Sequence, residues 1–556
     1  MTSFVASIPG LYEDWILHAL VWLPVAGLVH VLTTSPERSK VIAFRWSGLV
    51  FLLSLGLWWA FDPGNGGFAF ESSVPWIEAW GVNYSLGIDG ISVFMVILTT
   101  LTTPIAILGS FNYIRKRRKA FYALMLLLQM GVTGVFLATD IFLFYVFFEL
   151  TLVPMYFIVG IWGGERRIYA AVKFFLYTAV GSLLMLVAIL YMYFSSGVDS
   201  FSYEAFLNAE LTMREQLWLF AAFALAFGIK VPIFPLHTWL PDAHVEAPTP
   251  GSVILASLLL KMGTYGFLRF LLPFFPGASQ HPTVVTVMLV LGVAGIIYAA
   301  WVAAVQPDAK KLVAYTSVAH MGFVMIGVFA LTVNGLQGGL VVMISHGVST
   351  GALFLLLGMI YERRHTRLID DFGGIGRVAP LFATAFVITA LASIGLPGTS
   401  GFIGEFLALI GTFETHAVVA IIAATGVIFA AYYMLPMVQR VLFNELDKEE
   451  NRTFADLSRR EMWVLGPLVA LMIWIGVQPA PILERMEPSV QVVLERVEEG
   501  AMAAAAEGAV EDGQLADASG RAGPPSTSGP VDGLNAAPAT APAPARTTVP
   551  TPGGED

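Results

Sequence analysis

Four charged residues lie in or beside apolar stretches long enough to cross a membrane. Glu149 lies in IFLFYVFFELTLVPMYFIVGIW, Lys230 in WLFAAFALAFGIKVPIF and Lys261 in VILASLLLKMGTYGFLRFLL. Glu405 follows the glycine-broken stretch ALASIGLPGTSGFIG. Charges at membrane depth are costly, and they normally face a bundle interior or a water-filled path, where proton relays are a common use. These residues therefore predict a membrane protein that moves protons or small cations.

Lysine and glutamate together suit reversible proton storage. In general, burial lowers the pKa of a lysine and a nearby carboxylate raises it, so changing the carboxylate's charge can load or unload the amine. Glu149, Lys230 and Lys261 supply these groups. The alternative is a static buried ion pair that only fixes helix packing, but the helix-breaking prolines just after Lys230 favour a function.

Two histidines, His320 in AYTSVAHMGFVMIG and His346 in LVVMISHGVSTGALF, lie inside neighbouring apolar spans. An imidazole has an ordinary pKa of about 6.5 and can pass a proton between its two nitrogens, which suits a relay. Two other interpretations remain open on spacing alone. The residues can be core histidines hydrogen-bonded to their surroundings, or they can be the two axial ligands of a haem.

A second polar cluster, His237, Asp242, His244 and Glu246, lies in the proline-rich segment HTWLPDAHVEAPTP. These are metal-ligand residue types, but their spacing matches no strong zinc pattern. The prolines favour a rigid capping loop over a metal site. Lys173, near the start of an apolar span, is expected to extend its ammonium to the membrane surface, with a relay role as the alternative.

The composition fixes the class of protein. The chain has 556 residues, of which 56% are hydrophobic and only 13% are charged, whereas soluble domains have roughly 25% charged residues. It has no cysteine, which excludes disulfides, thiolate-bound iron–sulfur clusters and thiol catalysis. No nucleotide-binding or nucleic-acid-binding motif is apparent. We predict an all-α polytopic membrane protein with about fourteen transmembrane helices, over approximately residues 15–33, 44–61, 91–110, 120–138, 141–161, 170–194, 216–235, 251–272, 284–304, 311–332, 336–361, 381–411, 417–443 and 462–477.

The loops between these spans predict the topology. Odd-numbered loops hold most of the basic residues, including RKRRK at 115–119, which places them in the cytoplasm and both termini outside. Pro232 and Pro235 should break the seventh span, and GLPGTSGFIG should break the twelfth. Paired breaks five spans apart favour two inverted five-helix repeats, spans 4–8 and 9–13.

The predicted organisation has five parts. Residues 1–118 form helices 1–3, residues 119–272 the first antiporter-like five-helix unit and residues 273–443 the second, inverted unit. Residues 444–478 form a cytoplasmic loop and the last transmembrane helix. Residues 479–556 form a short amphipathic segment and an Ala/Pro-rich tail that cannot bury a core and should be disordered.

The residues around these charges also resemble a known family. The chain is similar to the antiporter-like membrane subunits of proton-pumping NADH–quinone oxidoreductase, respiratory complex I, and among them to chain M, the bacterial counterpart of mitochondrial subunit 4. The resemblance covers about residues 85–445. The segments that carry it are TDIFLFYVFFELTLVPMYFIVGIWGGERRIYAAVKFF, FPLHTWLPDAHVEAPTPGSVILASLLLKMGTYG, KKLVAYTSVAHMGFVMIG and ISHGVSTGALFLLLGMIYERRHTR.

The resemblance implies a role for each site residue. Glu149 would be the carboxylate paired with Lys230, and Lys261 would be the central connecting residue. His320 and His346 would continue a hydrated axis, and Glu405 would end it. No cofactor is expected on this chain, because the family keeps NADH, FMN, iron–sulfur clusters and quinone in partner subunits.

The resemblance also implies where the protein works. The expected partners are the other complex I membrane subunits, especially the antiporter-like chains L and N. The expected location is a bacterial inner (plasma) membrane, with periplasmic termini. The alternative function is a cation/proton antiporter subunit of a multisubunit Na⁺/H⁺ antiporter or of a membrane-bound hydrogenase.

Overall fold

The computed structural model describes residues 8–520, with side chains described from residue 12 to residue 502. Long helices make up most of the chain. Their bounds are α1 Ile8–Thr33, α2 Pro36–Ala60, α3 Ser92–Gly109, α4 Arg118–Leu137, α5 Ile141–Trp162, α6 Arg167–Ser195, α7 Met213–Lys230, α8 Thr249–Phe274, α9 Pro282–Ala304, α10 Ala309–Phe329, α11 Val333–Arg364, α12 Pro380–Ile394, α13 Ser400–Phe443, α14 Arg459–Val477 and α15 Ala480–Gly520.

These helices confirm the predicted class, an all-α multi-pass membrane protein. Within the described residues, 12 helices are long and apolar enough to cross a membrane, where the sequence predicts about fourteen spans. Three helices account for the difference. Helix α7 is not among the 12, and α12 is a shorter apolar helix of 15 residues. Helix α13 covers parts of two predicted spans, and its backbone leaves helical geometry at His416 (φ −137°, ψ 65°). The exact span number and the inverted repeats stay predictions.

A β-hairpin that the sequence analysis did not predict joins α2 to α3. Strand β1, Ala69–Ile77, pairs antiparallel with β2, Val82–Ile88. The connecting turn ends at Gly81, whose φ of 63° suits glycine. Most of β1 is exposed, while the end of β2 is buried as it leads into α3. A short, largely exposed hairpin of this kind gives a weak sequence signal, because only one strand has a continuous buried stretch.

Both predicted helix breaks are present beside charged residues. Helix α7 ends at Lys230, and the chain becomes helical again only at Trp239–Glu246. The Trp239 indole donates a hydrogen bond of 2.9 Å to the freed carbonyl of Ile229. Such compensation is needed where a helix is interrupted at membrane depth.

The second break lies between α12 and α13. Gly395 has a φ of 83°, and Gly398 a φ of 89°, a backbone conformation that favours glycine. A Cβ atom on Gly395 would also lie 2.8 Å from Oε2 of Glu405. Glycine is therefore required here both for the turn and for the close approach of the carboxylate.

The last helix, α15, makes hydrogen bonds to the end of α2 and to the second and sixth loops. Backbone oxygens of Trp58 and Leu207 accept hydrogen bonds from Arg485 and Arg496 of α15, and the Gly90 amide donates one to Ser489. The predicted amphipathic surface segment is thus a helix, and its buried residues are Ile482, Met486, Ser489, Val490, Val493, Leu494 and Val497. The predicted disorder of residues 521–556 lies outside the described residues. Described residues up to Ala505 belong to one unit by their contacts, and the five-part division stays a prediction.

Truncation should separate the packed part of α15 from the rest. We expect a chain ending at residue 502 to assemble and to support near-normal turnover, because Val497 is the last buried residue among the side chains of this helix that the structure describes. A chain ending at Val477 should lose abundance in the membrane, because it removes the buried face of α15. Blue-native electrophoresis and quinone-coupled NADH oxidation measure both. Loss of turnover at normal abundance in the longer chain would contradict this.

Candidate functional site: a buried chain of titratable side chains

The first part of the candidate site is the end of α7. Lys230 is 1% exposed, and its ammonium has no hydrogen-bond partner among the described residues. Its Nζ lies 4.8 Å from the ring centroid of Phe148 and 5.8 Å from that of Phe174. Aromatic faces attract a cation without fixing its proton in a hydrogen bond. The ammonium is thus held at the helix break with its donors free.

Glu149 lies close enough to Lys230 to act on it electrostatically. The two side chains do not form a direct ion pair within the described residues. One carboxylate oxygen of Glu149 is buried without a partner in that same part of the chain. The static ion pair that the sequence left open as an alternative is therefore not what the structure contains. The arrangement is a lysine and a carboxylate whose charges interact across a gap.

Glu149 and Lys230 should be energetically coupled in function. We expect the single variants Glu149→Gln and Lys230→Ala each to lower proton pumping, and the double variant to be less impaired than the product of the two effects. Groups that interact directly typically show couplings of about 0.5–3 kcal/mol. A double-mutant cycle on pumping rate in proteoliposomes measures the coupling. Effects that combine independently would mean that the two residues act separately.

Lys261 lies at the centre of the bundle on α8. This helix contains two π-helical turns, Leu255–Leu259 and Phe267–Leu271, one on either side of Lys261. Such turns occur often at functional sites. The ammonium of Lys261 donates to the carbonyl of Ala256, at 2.5 Å, and contacts Nδ1 of His346, also at 2.5 Å.

His346 on α11 connects Lys261 to the second half of the chain. Its ring centroid lies 5.5 Å from that of His320 on α10. Its other nitrogen, Nε2, is buried without a partner among the described residues. His346 therefore contacts a lysine through one nitrogen and leaves the other free to exchange a proton.

His320 reaches across the second helix break. Its Nδ1 lies 2.9 Å from Oε1 of Glu405 on α13, and its Nε2 lies 3.3 Å from the hydroxyl of Ser393 on α12. Of the four ring nitrogens of His320 and His346, three thus have side-chain partners. This arrangement does not fit the bis-histidine haem that the sequence left open.

Five of the six predicted site residues are almost fully buried, and four of them form a contiguous chain. The contacts run from Lys261 to His346, then to His320 and to Glu405, across α8, α11, α10 and α13. The exposed fractions of Lys230, Lys261, His320, His346 and Glu405 are 1%, 0%, 6%, 2% and 4%. Glu149 is half-buried. The structure does not join Lys230 to Lys261 by direct contact, although α7 and α8 pack closely at Gly263, where a Cβ would lie 3.0 Å from Cβ of Lys230.

Two further buried groups lie near this chain and were not predicted as site residues. His244 is fully buried on the short helix after the α7 break, and neither of its ring nitrogens has a partner among the described residues. Lys310, at the start of α10, donates to the carbonyl of Ala247 at 2.6 Å. The sequence analysis placed His244 in the predicted capping loop and Lys310 in a basic loop. The one sequence feature that points to a site role is the position of His244 shortly after the predicted helix break.

Two of the remaining members of the second polar cluster have polar partners, whereas His237 stacks on the ring of Phe234 and its Nδ1 is buried without a partner among the described residues. Asp242 forms an ion pair of 2.7 Å with Lys173, and Glu246 accepts a hydrogen bond from the amide of Arg166. No group of three or more His, Cys, Asp or Glu residues within the described part of the chain is arranged to hold a metal ion. Lys173 thus ties α6 to the segment after the helix break.

A helical membrane bundle with two broken helices and a buried chain of lysine, histidine and glutamate defines the antiporter-like class of membrane proteins. Sequence comparisons give the family. Residues 138–430 match the family described as NADH:quinone oxidoreductase/Mrp antiporter, and residues 67–133 match the amino terminus of NADH-ubiquinone oxidoreductase chain 4. The NADH-quinone oxidoreductase subunit M of Rhodobacter capsulatus is 44% identical over 494 residues, which cover 85% of this chain and 95% of the relative. Chain 4 of Marchantia polymorpha is 43% identical over 85% of this chain and 96% of the relative.

A solved structure that resembles this chain indicates the same family as the sequence relatives. A chain of respiratory complex I from Thermus thermophilus superposes with a TM-score of 0.80 and 35% identity, and the match covers 87% of this chain and 99% of that one. A chain of the Mrp complex from Dietzia has the same fold, with a TM-score of 0.75 over 87% of this chain and 99% of that one, at only 20% identity. This chain belongs to the subunit M/chain 4 family of NADH-quinone oxidoreductase, the antiporter-like membrane subunits of respiratory complex I.

Proposed function

We propose that this chain translocates protons through Glu149, Lys230, Lys261, His346, His320 and Glu405. The energy comes from NADH oxidation and quinone reduction, which take place in other subunits of the oxidoreductase complex. The observation that carries the proposal is the buried series from Lys261 to Glu405, in which two links are polar contacts and the third is a contact between the rings of His346 and His320. Ionisable groups at membrane depth are costly, and a chain of four that touch each other has no simpler use than proton transfer.

The contacts give each residue a chemical role. Lys261 as an ammonium donates a proton to Nδ1 of His346, and the histidine releases its other proton from Nε2. His320 passes a proton through its two nitrogens in the same way, and Glu405 receives it as a carboxylate. Lys230 stores a proton at the α7 break, and the charge of Glu149 sets how firmly it is held.

The direction of this chain decides its energetic cost. Its residues come from four different helices of the bundle, α8, α11, α10 and α13, and we infer that a proton moving along them travels mainly parallel to the membrane. Full crossing of the membrane costs about 2.3 kcal/mol per charge per 100 mV, but lateral transfer does little of this work. The lateral steps can therefore be nearly balanced, and the coupling to redox chemistry acts where protons enter and leave.

His346 gives the most direct test of the proposal, because it joins the two halves of the chain. An asparagine keeps a hydrogen-bonding amide near the position of Nδ1 but cannot carry a proton. We expect His346→Asn to assemble and to lower quinone-coupled NADH oxidation and pumping by about tenfold or more, the effect of adding about 1.4 kcal/mol to the limiting barrier. Proteoliposomes with a pH-sensitive dye measure both rates.

His416→Asn is the matched control for this test. His416 is the residue at which the backbone of α13 leaves helical geometry, and its side chain is hydrogen-bonded to the neighbouring Thr415. Replacing His416 by asparagine should therefore leave the pumping rate of the complex unaltered. An assembled His346→Asn complex with a normal number of protons per electron would contradict the relay, and it would favour a purely structural scaffold.

A second candidate function is a cation/proton antiporter subunit, supported by the shared fold with the Mrp complex. The two functions differ in their requirement for sodium and for partner subunits. NADH-driven pumping that persists in sodium-free buffer favours the oxidoreductase. Sodium uptake driven by a pH gradient in vesicles that contain this chain favours the antiporter.

We also propose the setting in which the chain works. No cofactor is assigned to this chain, and NADH, FMN, iron–sulfur clusters and quinone are assigned to partner subunits. The antiporter-like chains L and N are the expected neighbours. The membrane is a bacterial inner membrane, with the basic loops inside and both termini on the periplasmic side.

A further inference from the structure

An apolar groove on the side of the bundle is separate from the titratable chain. It has a volume of ≈ 770 Å³ and lies between α2, α3 and α14. Its apolar wall includes Leu49, Leu52, Ile105 and Trp463, and three of these residues are more than 40% exposed on this protein alone. A side chain at Gly48 would meet no other atom within 4 Å. The groove is therefore open to whatever surrounds the bundle.

Two arginines close one end of this groove. Arg45, near the start of α2, is exposed, and Arg460, near the start of α14, is partly buried. Nη1 of Arg460 is buried without a hydrogen-bond partner among the described residues. Glu362 is close enough to act on Arg460 electrostatically, so one of the two positive charges is partly offset. Arg45 faces the groove opening and forms no ion pair in the described structure.

We propose that this groove binds an anionic phospholipid. The acyl chains occupy the apolar wall, and the phosphate accepts hydrogen bonds from Arg45 and Arg460. Both arginines lie at the membrane end that the basic loops assign to the cytoplasm, where anionic lipids attract basic side chains. Arginine suits this role because its planar fork matches the geometry of a phosphate. Arg45 is exposed and Arg460 is partly exposed in the lining of this apolar groove, so their guanidinium groups have the chemistry to receive such a headgroup.

The proposal is tested on the intact complex purified in mild detergent. It is exchanged into phosphatidylglycerol that carries a photoactivatable group on one acyl chain, and labelled peptides are identified by mass spectrometry. We expect labelling of α2 and α14 peptides that line the groove. Phosphatidylcholine with the same acyl group should label them less, and excess inorganic phosphate should not compete, because the acyl chains contribute the apolar contacts.

Variants of the two arginines and of Gly48 separate the headgroup contact from the groove. The double variant Arg45→Ala/Arg460→Ala should lower groove labelling by about tenfold, since it removes the charged hydrogen bonds. Arg38→Ala/Arg459→Ala removes the same charge from residues outside the groove and should keep the labelling. Gly48→Leu places an apolar side chain in the groove and should lower labelling while both arginines remain.

Two results would overturn the proposal. One is equal labelling by the anionic and the zwitterionic lipid in the wild-type complex, together with equal labelling in both arginine double variants. The other is no labelling of the groove peptides in wild type, with protection of the same peptides by a neighbouring subunit. The second result would mean that a protein helix occupies the groove.

Discussion

The Lys230→Arg variant should assemble into the complex and pump almost no protons. Arginine keeps the positive charge at the end of α7 and can stack on the rings of Phe148 and Phe174. A guanidinium has a pKa above 12 and does not release its proton during a cycle. If Lys230 only fixed helix packing through its charge, arginine would be a mild change. We expect pumping to fall by about a hundredfold, which corresponds to about 2.7 kcal/mol, and Lys230→Ala to be similarly inactive.

Lys173→Arg is the matched control for this variant. Lys173 belongs to the neighbouring helix α6 and pairs with Asp242 at 2.7 Å, a contact that an arginine can also make. Quinone-coupled NADH oxidation and dye-monitored acidification should therefore stay near the wild-type level. Normal pumping by an assembled Lys230→Arg complex would remove Lys230 from the relay.

The Glu405→Gln variant should also lose most of its pumping, although Glu405 lies far along the chain from Lys230. Glutamine keeps an oxygen that can accept a hydrogen bond from His320, so the contact of 2.9 Å can be retained. It cannot take up a proton, and the chain of contacts then ends at His320. Because the proposed path runs through both halves of the protein, we expect a fall of about tenfold or more in pumping rate, equivalent to about 1.4 kcal/mol.

Glu414→Gln provides the comparison for this change. Oε1 of Glu414 accepts a hydrogen bond of 2.7 Å from the amide of Asn334, which glutamine can preserve. The two variants make the same chemical change on the same helix, and only one belongs to the buried chain. A Glu405→Gln complex with the full proton-per-electron ratio would mean that each half of the protein must be explained by itself.

Much of the architecture follows from the sequence because its causes are local. Membrane-length apolar runs predict the helices, and Pro232 and the glycines around residue 398 predict the two breaks. The β-hairpin was missed because only β2 has a continuous buried stretch. The boundary near His416 was predicted, but the sequence could not say that the backbone departs from helical geometry at a single residue.

The candidate site was predictable as a set of residues but not as a set of contacts. Charges inside apolar runs single out Glu149, Lys230, Lys261 and Glu405. The contact between Lys261 and His346 joins residues 85 positions apart, and no local pattern gives it. The π-helical turns around Lys261 have no signal in the composition of α8. His244 was missed because a histidine among prolines has the same pattern whether it caps a loop or is buried beside a relay.

Within the described residues, three links of the proposed path from Glu149 to Glu405 have no direct hydrogen bond or ion pair: Glu149 to Lys230, Lys230 to Lys261, and His346 to His320. A map of the intact complex under turnover, at a resolution that shows ordered water, tests this path most directly. We predict ordered waters that link the ammonium groups of Lys230 and Lys261 and that reach the unpartnered nitrogen of His346. A gap filled by phenylalanine and leucine side chains, dry in every state of the turnover, would contradict the shared path.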